Sequence, residues 1–287
     1  MIQSEPQIKM IELKNVSIVY PGKKEPFVAL HPTTLSFAKG QFTVLLGRSG
    51  AGKSSLLRSI NFLNKPSGGG VSVDSIGEIT SGSRLRELRR CCGMIFQQHQ
   101  LLPRSTVLRN VLNGRLSYHS FFRSICPLPV KERLLALECL DRVGLFEKAL
   151  NRADQLSGGE QQRVGIARAL AQQSCIMLAD EPVASLDPAT SVTLLRLLKR
   201  ICSEDGITAV VSLHQVDLAR SFADRIIGLA LGRVIFDGTP DQLDDTALGR
   251  IYGESHVADM RSTAPNEAGY ESKWPVFADP SPTFSQT

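Results

Sequence analysis

The chain reads as an α/β protein, built on a mainly parallel sheet with an antiparallel β part at its N-terminus and an inserted helical subdomain. Three observations predict this. Short apolar runs at Phe42–Leu46, 93–96, 175–179, 207–213 and 225–230 alternate with stretches of helical periodicity. Two longer β-branched segments, residues 8–20 and 28–37, flank the turn sequence PGKKEP. Residues 98–172 carry no strand pattern, and their apolar spacing is helical.

The elements follow in order. Residues 8–20 alternate partially and predict a strand or half of a hairpin. The next strand-like segment runs to the Lys39-Gly40 turn. Phe42–Leu46 is apolar throughout and predicts a strand buried on both faces. A glycine-rich loop and a helix from Lys53 to about Leu63 come next. Residues 66–83 are rich in Gly and Ser and predict turns and short strands, and RLRELRR at 84–90 predicts a helix with a solvated basic face. Within the helical block, 131–143 and 160–173 are the clearest helices, and further helices at 188–203 and 216–223 fill the gaps between later strands. Residues 1–254 are expected to form one domain, and the Pro-, Ser- and Thr-rich stretch from about Ser255 to Thr287 a disordered tail.

Composition narrows the function classes. The 287 residues are 42% hydrophobic and 21% charged, an ordinary globular balance. A net charge of +5 suits an anionic ligand or a membrane surface but is too small to argue for nucleic acid. The N-terminus shows no basic cluster before an apolar core, and no run of about 18 apolar residues predicts a membrane span. The six cysteines lack metal-ligand spacing and are expected to be reduced, structural thiols.

The chemistry begins at Gly47-Arg48-Ser49-Gly50-Ala51-Gly52-Lys53-Ser54, which fits G-x-x-x-x-G-K-[ST] between a buried strand and a helix. Glycines let successive backbone N–H groups converge on one anion, and the helix adds its positive end. Lys53 supplies a charge for the β- and γ-phosphates, and the Ser54 hydroxyl is a ligand for Mg²⁺. Ser55, next in line, is placed with the nucleotide-binding residues. The expected ligands are therefore ATP and Mg²⁺.

Ile176–Asp180 is an apolar strand ending in a carboxylate, followed by Glu181. The carboxyl end of such a strand is where α/β sheets bind ligands. Asp180 is expected to hold the metal's water shell and Glu181 to act as general base. Leu156-Ser157-Gly158-Gly159-Glu160-Gln161-Gln162 contains the capping box Ser157-x-x-Glu160, so a helix starts here. Capping accounts for Ser157 and Glu160 but leaves the paired glycines over, and open N–H groups at a helix start make a second anion site.

Four single residues complete the set. Gln97 ends the 93–96 strand, in reach of metal or lytic water. His214 ends the 207–213 strand, in reach of the γ-phosphate. Asp187 lies on the loop after Glu181, and Tyr20 precedes a turn where it can stack on a base. Taken singly, a surface Gln, a strand-end His and an Asp-Pro turn are more often structural, and Tyr20 fits a core or edge place equally well. The shared position of Gln97, His214 and Asp187 at strand ends argues for function.

Together these residues resemble the ATP-binding subunit of an ABC transporter over about residues 8–240. The motifs fall in that family's order: Tyr20 (A-loop), Gly47–Ser54 (Walker A), Gln97 (Q-loop), Leu156–Gln162 (signature), Ile176–Asp180 with Glu181 (Walker B and base), Ser185-Leu186-Asp187 (D-loop) and His214 (H-loop). The resemblance implies the P-loop ABC ATPase fold and a head-to-tail homodimer. In it, Ser157, Gly158, Gly159 and Glu160 of one copy complete the site of the other. It also implies ATP hydrolysis that drives multi-spanning permease subunits at the inner face of the membrane, with a separate substrate-binding protein outside. IFQQHQLLPRSTVLRNVLNGRL, LADEPVASLDP and DGITAVVSLHQVDLA narrow the resemblance to phosphonate importer ATPases. The stretch 113–131 supports that type. Phe121, Phe122 and Arg123 either help dock the permease or pack within the helical subdomain. Arg48 stands where that family more often has Pro, and is expected to contribute backbone rather than side chain. The tail after Ser255 shows no recognisable counterpart. Phosphite and phosphate esters are alternative cargo. A non-transport ABC ATPase serving a soluble complex such as carbon–phosphorus bond cleavage is an alternative function. A simple P-loop kinase leaves Leu156–Gln162 without a purpose.

Overall fold

The computed structural model describes residues 8–22, 25–119 and 128–253. The expectations for Phe121, Phe122, Arg123 and the tail after Ser255 lie outside them. The strands are β1 (Lys9–Tyr20), β2 (Phe27–Ala38), β3 (Phe42–Leu46), β4 (Gly68–Val73), β5 (Gly77–Glu78), β6 (Cys92–Ile95), β7 (Ile176–Asp180), β8 (Thr208–Leu213), β9 (Arg225–Ala230) and β10 (Arg233–Gly238). The helices are α1 (Lys53–Ile60), α2 (Gly82–Cys91), α3 (Val107–Leu112), α4 (Val130–Arg142), α5 (Gly158–Ala171), α6 (Pro188–Glu204), α7 (Val216–Phe222) and α8 (Asp245–Tyr252).

Two sheets form. One is antiparallel, in the order β2-β1-β4-β5, and the other has six strands in the order β10-β9-β3-β8-β7-β6. Within the second, β3 pairs in parallel with β8 and β9, and β7 pairs in parallel with β6 and β8. Only β10 runs antiparallel, as a hairpin on β9 at the edge. The expected mixture is present, with a strand the sequence pattern did not mark: β10 follows the turn at Leu231-Gly232.

The parallel sheet is apolar on both faces because both are covered. Leu45, Leu178, Val210, Ile227 and Leu229 pack with Leu56, Leu57 and Ile60 of α1 and the inner side of the antiparallel sheet. Val44, Leu46, Met177, Ala179, Val211 and Ile226 face α5, α6 and α8 and the helical block. Leu57 is fully buried, and cutting it to alanine costs about 2–5 kcal/mol by loss of transfer energy and opening of a cavity. Helix α1 stops at Ile60 rather than at Leu63, because Phe62 takes a left-handed φ of 55° that a helix cannot continue through.

Register places the functional ends together. Leu46 pairs with Leu213, and Asp180 pairs with Ser212. The residues that follow β3, β7 and β8 therefore emerge along one edge.

The cysteine expectation is corrected in part. Cys91 and Cys175 form a disulfide, with Cα atoms 5.3 Å apart. Cys92 pairs with Ile176 in the parallel ladder, so the two preceding residues lie side by side although 84 positions apart. Cys92, Cys139 and Cys202 are free and buried, as expected of structural thiols, and burial pushes them up to about 12, 11 and 12 respectively.

Candidate nucleotide site at the sheet edge

The loop after β3 is shaped by glycines where side chains cannot fit. A Cβ on Gly52, at φ 101°, would lie 2.6 Å from the Ala29 carbonyl oxygen. A Cβ on Gly47 would lie 2.4 Å from that of Leu229. Ala51 is tied on both sides, its N–H donating to the Arg48 oxygen at 3.1 Å and its carbonyl accepting from Gly232 at 3.0 Å. Ser49 and Gly50 form the exposed crest. Helix α1 starts after Gly52 with no side-chain cap and no acid in its first turn. Its first N–H groups and its positive dipole end therefore face the loop.

Lys53 is buried, its Nζ donating to the Gly47 and Arg48 carbonyls at 2.8 and 3.0 Å. Burial pulls its pKa below the ordinary lysine value, and Glu181 and Asp180 oppose that pull. His214 Nδ1 lies 3.3 Å from the Lys53 Nζ, and its Nε2 lies 2.5 Å from Glu181 Oε1. An ammonium only donates, so Nδ1 accepts and Nε2 carries the proton shared with Glu181. Glu181 itself sits at φ 49°, a strained value for a residue with a side chain, and its N–H is fixed by the Ser212 hydroxyl at 2.9 Å.

Asp180 is buried at the end of β7. It accepts from Ser54 Oγ at 2.8 Å, Ser212 Oγ at 3.1 Å, and Arg58 Nε and Nη2 at 3.2 and 2.9 Å. A hydroxyl and a carboxylate 2.8 Å apart are hard oxygen donors that suit Mg²⁺, which keeps most of its shell for water and phosphate. At the first turn of α1, Tyr20 Oη lies 3.3 Å from Ser55 Oγ and also accepts from Asn64, which follows the helix, at 2.6 Å; Tyr20 stays partly exposed.

Lys53, Ser54, Asp180, Glu181 and His214 thus share one network, with Tyr20 and Ser55 beside it. The remaining predicted residues lie elsewhere. Gln97 is exposed in a cleft with Ala153, Gln161 and Ser185, and no described hydrogen bond joins it to Ser54 or Asp180. It follows β6, the edge strand one place beyond β7. Asp187 caps α6, its carboxylate accepting from the Thr190 N–H at 3.0 Å.

The segment 156–162 forms its own unit. Ser157 caps α5 and Glu160 closes the expected box, accepting from the Ser157 N–H at 3.0 Å. Glu160 also holds Lys148, and that ammonium, with the Ser157 donors, pulls its carboxyl down to about 2. The paired glycines divide in role. A Cβ on Gly159 would come 2.8 Å from Thr190 Cγ2, so packing against α6 explains it. Gly158 has room, with Leu186 at an ordinary 3.7 Å.

Two features escaped the sequence reading. Gln162 is buried and bonded to His99, coupling the loop after β6 to α5. The Arg48 side chain is engaged after all: its Nη1 donates to the Tyr252 carbonyl at 3.4 Å, at the end of α8. The glycine motif gives a reason for the loop's backbone but none for a side chain that reaches 204 positions down the chain.

A phosphate loop, a strand-end acid pair and a capped Ser-Gly-Gly-Glu helix on a two-sheet α/β frame define an ATP-binding cassette. The ABC transporter family profile matches residues 30–184. The chain belongs to that family, as an ATP-binding subunit. It is 55% identical over 280 residues to a phosphite import ATP-binding protein of Stutzerimonas stutzeri, covering 98% of each chain. It is also 55% identical to a phosphonates import ATP-binding protein of Nostoc sp., over 88% of this chain and 97% of that one. Among solved structures, the cassette MJ0796 in a dimeric post-hydrolysis state with ADP and Pi has a TM-score of 0.71 at 39% identity. That match covers 80% of this chain and 99% of the cassette.

Proposed function

We propose that this protein is the ATPase of an importer for a phosphorus oxyanion of the phosphonate or phosphite type, at the inner face of the membrane. The observation that carries the reading is the single network joining Lys53, Ser54, Asp180, Glu181 and His214 at the ends of β3, β7 and β8.

The residues divide the work. The loop N–H groups of 47–52 and the start of α1 bind the β- and γ-phosphates, with Lys53 turning from the loop carbonyls toward them. Ser55 lines the same phosphates, and Tyr20 stacks on the base. Ser54 and Asp180 would hold Mg²⁺, and Gln97, on the loop after β6, would join them as a ligand. The metal, when bound, neutralises phosphate charge. Glu181 takes a proton from water as the water oxygen joins the γ-phosphorus and ADP leaves, giving ADP and phosphate. His214 holds Glu181 in place and reaches the γ-phosphate. Ser157, Gly158, Gly159, Glu160 and Asp187 serve the site of a second copy, in support of which stands the dimeric form of the 39% identical cassette. Residues 1–254 then constitute the ATPase domain, with 98–172 as its helical arm toward a multi-spanning permease.

Cargo is read from relatives. The match to the phosphite importer subunit runs over 280 residues and so extends into the tail after Ser255, which the sequence reading left without a counterpart. The matches to phosphonate subunits span 243–256 residues. This favours phosphite. The import names of these relatives weigh against a soluble assembly factor. Reconstitution with the permease and binding protein in vesicles tests the reading: ATP-driven uptake should occur with phosphite or phosphonates and fail with an unrelated solute. Recovery of soluble enzymes alone as partners, with no uptake, would overturn it.

A further inference from the structure

Helix α8 ends beside the phosphate loop, and no motif accounts for it. It packs hard on β9. A Cβ on Gly228 would strike Ile251 at 2.5 Å, so the contact leaves no slack. The helix ends in Tyr252, which is 5% exposed. Its hydroxyl donates to the His214 carbonyl oxygen at 2.9 Å. The Gly47 backbone meets the same phenolic oxygen. From the other side, Arg48 reaches the Tyr252 carbonyl at 3.4 Å, where the last carbonyls of a helix attract a cation.

These contacts fall on two neighbouring chain segments that carry the site. Gly47 and His214 each follow the paired residues Leu46 and Leu213. The Gly47 carbonyl holds Lys53, and the His214 ring bridges Lys53 and Glu181. We propose that Tyr252 is a positioning residue for ATP hydrolysis, acting through His214, and that Arg48 locks the end of α8 onto the phosphate loop for that purpose. The inference rests on the ATPase reading above. A buried tyrosine kept only for packing needs its ring and a satisfied hydroxyl. This hydroxyl is spent on two loops whose relative placement fixes the ring between Lys53 and the general base, where small displacements carry large rate penalties.

The experiment compares the full chain with Tyr252→Phe, Arg48→Met, His214→Ala and the double variant Tyr252→Phe/His214→Ala. MgATP hydrolysis is measured by steady-state and single-turnover rates, and folding by thermal melting. Tyr252→Phe keeps the ring. It should lower kcat roughly five- to tenfold with KM for ATP within about twofold of wild type, a split that loss of packing alone does not give. In the His214→Ala background the same change should cost nothing further, because its route is already gone. Arg48→Met should lower kcat in the same direction by a smaller factor, and it carries the decision if the Phe variant does not fold. A Tyr252→Phe variant with wild-type kcat overturns the inference. So does one whose loss adds in full to that of His214→Ala, or, failing a folded Phe variant, an Arg48→Met variant with wild-type kcat. No hydrolysis by the wild-type chain would instead overturn the ATPase reading itself.

Discussion

Two helix starts in this molecule face opposite fates. Helix α1 begins after a left-handed glycine, with no side-chain cap and no acid in its first turn. Helix α5 begins with Ser157, and its own Glu160 turns back to close the box. Both starts carry the same partial positive charge. At α1 that charge is left for a ligand, and the side chains that gather there are Lys53, Ser54 and the carboxylates across the strand ends. At α5 it is partly answered from within, and what stays open is Gly158 and the outer face of the Ser157 hydroxyl. In the proposed reading, one start is a binding site in its own chain. The other is stable as it stands and suits a transient partner, which is what a second copy's triphosphate would be.

The largest expected effect breaks the first start. Glu181→Gln keeps the shape at the end of β7 but removes the proton acceptor beside His214. Hydrolysis should fall at least a hundredfold while ATP still binds, and the ATP-bound protein should run as a dimer in size-exclusion chromatography. A monomer under those conditions counts against a shared site. The next effect separates the second start from the first. Ser157→Ala removes the cap oxygen, which costs the helix about 1 kcal/mol and a few degrees of melting temperature. If α5 serves a partner's ATP, turnover should drop about tenfold or more, with ATP affinity of the isolated chain unchanged. Wild-type turnover with a lowered melting temperature would make Ser157 a cap and nothing else.

The sequence made the first start legible because its signal is local. Eight consecutive residues specify the cradle, and the apolar run before them predicts its strand. The capping box at Ser157 and Glu160 was legible for the same reason. Long-range partners were not. The Cys91–Cys175 bond depends on the register of two strands 84 residues apart in sequence. The Arg48–Tyr252 contact depends on where α8 docks, and α8 has too short a period to announce itself. Gly159 could be seen to exceed what capping needs, but its packing against Thr190 appears only with α6 in place. Gln97 was placed by its position at a strand end, and strand ends are common. The sheet order, which sets β6 one strand away from Asp180, decides how far it must reach.

The smallest effect tests the second start alone, through pH. The Lys148 ammonium and the Ser157 donors depress the Glu160 carboxyl to about 2, against about 4.3 for an unperturbed glutamate. A group whose folded pKa is lowered contributes stability above its unfolded value and loses it as pH falls toward the folded one. The contribution is therefore whole above about pH 5 and drains away between there and pH 2. Solvent reaches the pair, so its worth is about 1 kcal/mol, that of a capping contact, rather than the full shift. Thermal melts of wild type and Glu160→Gln should differ by a constant few degrees from pH 5 to 8, with the gap shrinking below pH 5 and closing only near pH 2. The gap should narrow in high salt, which screens Lys148 but not the Ser157 hydrogen bonds. A gap indifferent to pH would assign the box to hydrogen bonding by a neutral side chain. The charge at α5 would then be free of any structural duty, unlike Lys53 at α1, whose charge is held in place by loop carbonyls.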